Sequence, residues 1–469
     1  MEYEIIHNIM RLGSFELKDE QFHEISAARG QDGKLYSPHG LGQSLIMLPF
    51  YYCGEGLAKL FPQFPEMRIH HFCISLMNPA ITALTCTLVY LFHRKLGYRT
   101  KTAIGVSCIY GFCTLAFPYT KVSFDVTLTA FLLLSAAYSV VLFRQTFSSR
   151  WIFLSGILLG FSLLTRIASL LVLPFFSIYV YSCLKDNGRP FRSIGKQLIL
   201  YALPILFFII LVGWYNSVRF GVFYQDGHSA DSAVKLTTPV LVGVVGQLIS
   251  PGKGLFLYSP ILLFSFLGVR RFYHTHKREM LLFCSLICVN LLFYSKLSNW
   301  SGDWCWGPRF TLPIVPFFII FIGCFREGID FQSRTRLKRI WIVLLVLSFF
   351  VQVLGVTVDG TRRIGRRYES NTVSSTEVYW NPVKSPLIDH LQLITRISQK
   401  PTPVPRNESL QLESVSYEDT TADFWFVYLY SIGIPVRWIL ISLSFLIVLN
   451  MYFGYVIFQE TYRRSCARC

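Results

Sequence analysis

A few side chains in this sequence have the type and setting for chemistry. Asp125, Arg166 and Arg309 stand at the edges of long apolar runs. Charges near hydrocarbon are costly, and they persist where they pair or perform work. Each also has a plainer reading, as an interfacial residue that marks a helix end. Glu2 and Glu4 open the segment Met1–Leu17, in which Ile5, Ile6, Ile9, Met10 and Leu12 recur at roughly helical spacing. Their carboxylates suit general bases, or else they complement the positive end of a helix dipole, which the local sequence favours.

The stretch Lys296–Arg309 is dense in aromatic and polar groups, among them Asn299, Trp300, Asp303, Trp304 and Trp306. Indole faces pack on sugar C–H faces, and Asn and Asp bind hydroxyls, so this reads as a carbohydrate platform in competition with an interfacial aromatic belt. Tyr36-Ser37-Pro38-His39-Gly40-Leu41-Gly42-Gln43-Ser44 sets His39 and two glycines ahead of an apolar run, a pattern that suits close approach of a ligand. His39 alone is more often structural than catalytic. Ser250-Pro251-Gly252-Lys253-Gly254 lacks the GxxxxGK[ST] spacing of a nucleotide loop, but Lys253 suits a lipid phosphate. Gln31-Asp32-Gly33-Lys34 is a turn by its Asp-Gly pair.

Long apolar elements must position these groups. The chain has 469 residues, 52% of them hydrophobic, and a net charge of +17. About eleven runs are long enough and apolar enough to span a bilayer: 70–94, 102–118, 122–144, 151–165, 167–184, 197–215, 255–272, 279–296, 309–326, 339–358 and 435–458. The predicted fold is an all-α polytopic membrane protein. Lys and Arg crowd every second gap, at 93–101, 185–196, 270–278, 326–339 and the C-terminal tail. The positive-inside rule puts those gaps on the cytoplasmic side. The charge is thereby explained by topology, and nucleic acid is excluded as a partner. The external side receives residues 1–68, the turn 118–124, Thr165–Arg166, and the loops 216–253, 297–308 and 359–432. Segment 40–62 is interrupted by Pro49, Gly54, Glu55 and Gly56 and reads as an in-plane amphipathic helix.

The organisation follows: an external N-terminal part over 1–68, a transmembrane core over 69–358, an external loop over 359–432, and a last span with its tail over 433–469. Asn407-Glu408-Ser409 in that loop is a glycosylation sequon. Most of the 12 cysteines lie inside apolar runs and read as small buried residues, and the terminal Cys466/Cys469 pair lacks the partners of a zinc site. No metal ligand set is assigned. Charges at helix ends and the lack of internal repeats weigh against the alternative of a lipid or glycan transporter or flippase.

These motifs, in this order along the chain, resemble the GT-C superfamily of polytopic glycosyltransferases, which includes protein O-mannosyltransferases and the lipid A aminoarabinose transferase. The matching stretches are Asp32–Ser37 with Gly40–Ser44, Ser155–Gly160 running to Arg166, Ile249–Gly254 with Tyr258-Ser259-Pro260, Trp306–Arg309 with Leu312-Pro313, and Tyr379–Pro382 with Ser385-Pro386. The resemblance, nearest to bacterial members of unassigned acceptor, implies a polyprenyl-phosphate-linked sugar as donor. It implies inverting transfer to a glycan, lipid or protein at the periplasmic or extracellular face of the inner membrane. It makes Arg166 and Arg309 phosphate contacts, matches Asp125 to an acidic position at the outer end of an early helix, and makes 14–28 and 40–62 juxtamembrane parts of the first external loop. The family's principal acid follows a membrane helix at about the point where this sequence begins, so Glu2 or Glu4 is the candidate remnant. A chain without that acid would be an inactive partner in glycan assembly. No cofactor is required by these residues, and a divalent metal stays open.

Overall fold

The computed structural model describes residues 2–17, 27–186, 190–227, 235–329, 334–358, 375–394, 424–427 and 435–466. Asn407, Cys469 and most of the loop 359–432 lie outside them. The fold is helical. Its only paired strands among the described residues are Ala28–Arg29 and Leu35–Tyr36, antiparallel around the turn at Asp32-Gly33. Gly33 sits at φ +80, the left-handed region that its missing Cβ permits.

The helices in chain order are α1 (Glu2–Leu12), α2 (Gly42–Leu60), α3 (Glu66–Ser75), α4 (Met77–Lys95), α5 (Thr100–Cys113), α6 (Asp125–Thr146), α7 (Ser149–Thr165), α8 (Leu173–Asp186), α9 (Phe191–Phe220), α10 (Val240–Ile249), α11 (Ser265–Thr275), α12 (Lys277–Lys296), α13 (Val315–Gly328), α14 (Thr335–Thr357), α15 (Ser375–Trp380), α16 (Pro386–Ile394) and α17 (Val436–Cys466). Seven stretches among the described residues are long and apolar enough to cross a membrane: 66–95, 125–146, 167–186, 191–220, 277–296, 309–328 and 335–357. Shorter apolar helices occupy 149–165, 240–249 and 436–449. The chain is a multi-pass membrane protein.

Two elements differ from the sequence expectation. The run 255–272 is broken into the short helix Leu255–Tyr258, a 3-10 turn Pro260–Phe264 and α11. Pro260 has no N–H to donate to the preceding turn, which disfavours a continuous helix at that point. The region 216–253, read as a loop, contains α10. Its ten residues fall short of a span, which is why a length-based reading passes over them. Segment 40–62 forms a helix as expected, α2, which continues through Pro49.

The chain divides into two compact units, 1–303 with 307–352, and 304–306 with 353–469. In the first, two stretches form the interior. The apolar window of 125–146 is 83% buried and that of 309–328 is 89% buried, against 28% for 191–220. The side chains Ile199, Leu203, Leu206, Phe207 and Ile210 of α9 are exposed and apolar, a face that only lipid tails satisfy. Small residues let α7 press on its neighbour. A Cβ added at Gly156 would meet Pro204, and one at Gly160 would meet Phe208, both on α9. In the second unit Trp306 stacks on His390 of α16 with ring centroids 4.4 Å apart.

Helix polarity sorts the charges of the first unit into two ends. At one end the helices are tied by ion pairs: Arg99 to Glu327 at 2.9 Å, Arg144 to the buried Glu279, and Arg278 to Asp186. Tyr179 donates to the same Glu279 carboxylate at 2.7 Å. This is the Lys/Arg-rich end. At the other end stand the first residue of α6, the C-terminus of α7, the C-terminus of α12 and the start of 309–328.

Candidate functional site

Those four termini bring Asp125, Arg166, Tyr294 and Arg309 together. Asp125 is in the first turn of α6, where the helix dipole favours an anion. Arg166 ends α7 in extended backbone (φ −151, ψ 111), which turns its side chain back toward α6. Its Nη1 donates to Asp125 Oδ1 at 3.0 Å, and its Nε donates to the Tyr294 hydroxyl at 2.7 Å. Its guanidinium also lies 5.0 Å from the ring centres of Tyr294 and Phe310. Burial opposes the charge of Arg166. The Asp125 carboxylate and the Tyr294 hydroxyl outweigh that and hold its pKa above the ordinary arginine value.

Arg309 completes the cluster from the other side. Its guanidinium lies 4.7 Å from the Phe124 ring centre and 5.0 Å from that of Phe310. Tyr294 and Phe310 stack at 4.4 Å with planes 14° apart. Phe310 is therefore in reach of two guanidinium groups, each held by aromatic faces. Arg309 Nη2 is 3.8 Å from Asp303 Oδ2, a loose pair in which Asp303 is half exposed. Its Nε is buried with no hydrogen-bond partner among the described residues. Beneath Arg166 a narrow cleft is lined by Thr129, Ser169, Asn290 and Tyr294. Ser169 Oγ and Asn290 Oδ1 are buried there without hydrogen-bond partners among the described residues. A buried polar atom with no partner costs free energy, and a bound polar ligand is one way to recover it.

Side chains that sequence reasoning passed over hold this end in place. Asn78 of α4 donates to the carbonyls of Val122 and Phe124, and Gln43 of α2 donates to that of Ser123 at 3.0 Å, fixing the turn that delivers Asp125. Arg219, 3% exposed at the end of α9, donates to the carbonyls of Ser37 and His39 and to Asn216 Oδ1, the last at 2.9 Å. That grip seats the segment 37–42 against the C-terminus of α7. A Cβ at Gly40 would lie 2.7 Å from the Thr165 carbonyl, and one at Gly42 would lie 2.7 Å from the Thr165 amide nitrogen. The two glycines, whose pattern suits close approach of a ligand, here meet the protein's own backbone. They admit the turn that carries Arg166, because only a residue without Cβ lets two backbones approach this closely. The signal for Arg219 was available: it is a charge in the last turn of a long apolar helix.

The remaining candidates are distributed. His39 contributes its carbonyl to Arg219 and is half-buried. Lys253 is fully buried, and its ammonium donates to the Asp303 carbonyl at 2.7 Å. That bond holds the turn at Asp303, whose φ of 59 is left-handed. Burial and this engagement oppose the direct phosphate contact expected of Lys253. Asn299 Nδ2 donates to Asp303 Oδ2 at 3.1 Å, as a polar turn next to a sugar site would require and as a plain loop also does. Glu4 is half-buried in α1, and its carboxylate makes no hydrogen bond or ion pair among the described residues. Glu2 is the first residue of that helix. Trp304 and Trp306 fall in the second unit. Trp306 is 5% exposed, covered by His390 on one face and so close to the backbone at Gly355 that a Cβ there would lie 2.6 Å from its ring. An indole covered in this way is a packing residue, not an open platform for a sugar ring.

For a metal ion, one group stands out among the described residues. Glu55, Glu66 and His70 present ligand atoms within 4.8 Å of one another.

Residues 41–224 match the family model of dolichyl-phosphate-mannose-protein mannosyltransferase. No curated protein sequence matches the chain. Among solved structures it is similar to the oligosaccharyltransferase of Archaeoglobus fulgidus in its apo form, with 10% identity and a TM-score of 0.47 over 76% of this chain and 51% of that one. The same enzyme tethered to an acceptor peptide containing the NVT sequon gives 10% identity and a TM-score of 0.47 over 76% and 50%. The chain thus spans about half the length of these solved structures. With Asp125 and Arg166 both inside the matched stretch, the chain stands as a multi-pass helical membrane protein similar to the GT-C superfamily, the resemblance that its motifs carry.

Proposed function

We propose that this protein is a membrane glycosyltransferase that moves a sugar from a polyprenyl-phosphate donor to an acceptor at the non-cytoplasmic face, with inversion. The observation that carries the reading is the pair Arg166 and Arg309, both within reach of Phe310, with Asp125 paired to Arg166, at the end of the bundle away from the Lys/Arg-rich loops. Two guanidinium forks, preorganised by aromatic faces, suit a phosphate whose charge grows as it leaves. The family match over 41–224 supports the same chemistry.

In this mechanism the acceptor hydroxyl oxygen attacks the anomeric carbon from the face opposite the phosphate. The new C–O bond forms as the bond to the phosphate oxygen breaks, and its electron pair leaves with the phosphate onto Arg166 and Arg309. The hydroxyl proton passes to a carboxylate, Asp125 or Glu4. Asp125 already faces Arg166, so a phosphate arriving at Arg166 competes with its carboxylate and frees it toward the acceptor. The cleft beneath Arg166, with the open Ser169 and Asn290 oxygens, offers hydrogen bonds to sugar hydroxyls. Aliphatic faces such as that of α9 let a lipid donor approach from the bilayer.

The test is transfer of labelled sugar in membranes from a panel of polyprenyl-phosphate donors. Arg309→Ala is expected to lower turnover by about 100- to 1,000-fold, the usual loss when one charge-stabilising donor is removed. Insertion and folding should be retained. Unchanged turnover would remove Arg309 from the mechanism.

A further inference from the structure

A second cluster of ionisable groups, sharing no residue with the arginine site, lies where α1, α2 and α3 pack together. Glu55 is on the C-terminal half of α2, and Glu66 and His70 are one helical turn apart on α3. His70 is fully buried. Its Nε2 has no hydrogen-bond partner among the described residues and points at both carboxylates, 3.8 Å from Glu55 Oε1 and 3.9 Å from Glu66 Oε1. Its other ring nitrogen, Nδ1, is 3.3 Å from the Tyr3 hydroxyl. A neutral imidazole protonated at Nδ1, with that N–H donated to the Tyr3 hydroxyl oxygen, leaves the Nε2 lone pair facing the two acids. That is how metal-ligating histidines are oriented, with the second nitrogen fixed by an outer partner.

We propose that Glu55, Glu66 and His70 form a divalent-cation site, suited to Zn2+, that clamps α2 to α3. The donor set is one imidazole and two carboxylates, and mixed N/O sets of this kind hold Zn2+. Ligand–metal distances of about 2.1 Å place tetrahedral ligand atoms roughly 3.4 Å apart, so the observed group needs only a small contraction. The chain between the helices, 61–65, is short, so an ion here fixes the angle at which α2 enters the first span. Arg11 of α1 now bridges both acids, 3.0 Å from Glu55 and in direct contact with Glu66. It occupies the cation's place from the solvent side, and its side chain is 48% exposed. The ion and Arg11 are therefore competitors for one pair of carboxylates.

The test uses the whole purified chain in detergent, stripped with chelator and titrated with Zn2+ against a fluorescent zinc indicator, with thermal stability followed in parallel. One saturable ion and a raised melting temperature are expected. E66Q, at a half-exposed position, should weaken binding at least tenfold and abolish the thermal shift. R11Q should tighten binding by about tenfold, because it removes a competing unit charge. H70Q should remove binding, and if that buried substitution fails to fold, E66Q and R11Q decide alone. Zinc uptake that neither E66Q nor R11Q alters belongs to other cysteines or histidines and overturns the proposal. So does the lack of any saturable site, which would leave His70 as an ion-pair partner of the two acids. None of these readouts depends on sugar transfer.

Discussion

The pairing of Asp125 with Arg166 makes a quantitative prediction that a double-mutant cycle can test. The two groups are 3.0 Å apart, and their side chains are only 17% and 16% exposed. At an effective dielectric constant of about 20, the attraction at that distance is roughly 5 kcal/mol before desolvation. Losing one partner of such a pair costs about 3–5 kcal/mol, because the other charge stays buried. Local structure softens each single loss. In Arg166→Gln the stranded Asp125 keeps the dipole of α6, worth about 0.3–1 kcal/mol. In Asp125→Asn the stranded Arg166 keeps the Tyr294 hydroxyl and two aromatic faces, worth about 1–2 kcal/mol. The single variants should therefore be destabilised by about 2–4 kcal/mol each, and the double variant by about 2 kcal/mol less than their sum. Unfolding titrations in mixed micelles read all four corners of the cycle. Additivity within about 0.5 kcal/mol would show that the two groups do not act as a pair and would refute the reasoning.

Three further substitutions test how the site is positioned. Gly40→Ala drives a Cβ into the Leu164 and Thr165 carbonyls and should cost about 3 kcal/mol while displacing Arg166. Wild-type melting and wild-type transfer together would disprove the close approach. Arg219→Ala strips the donors from the Ser37 and His39 carbonyls and should cost about 3 kcal/mol in the same titration, with transfer falling because segment 37–42 loosens. A turnover loss without any stability change would instead make Arg219 a contact to substrate. Trp306→Ala should destabilise by about 3–5 kcal/mol as a buried aromatic does. A loss of sugar affinity at unchanged stability would restore the platform reading.

Much of this molecule is written in one dimension. Hydrocarbon accepts only segments whose backbone bonds are satisfied internally, so long apolar runs declare the helices and Lys/Arg bias declares their order. Asp125, Arg166 and Arg309 are legible for the same reason: a charge at the end of an apolar helix is expensive enough to need a cause. The Asp32-Gly33 turn is equally local. What the sequence could not supply is adjacency. Nothing in residue spacing says that α6, α7, α12 and the stretch 309–328 end together, so the pairing of Asp125 with Arg166 across 41 residues is a product of packing. The same holds for Gly40 and Gly42, whose neighbours proved to be a carbonyl and an amide of α7 where a ligand was expected. It holds for Lys253, turned inward onto Asp303, and for Trp306, covered by His390. Local chemistry chose the residue types that a bilayer tolerates at helix ends. Only the tertiary structure decided which of those ends meet, because contact energy depends on distances in space that separation along the chain does not fix.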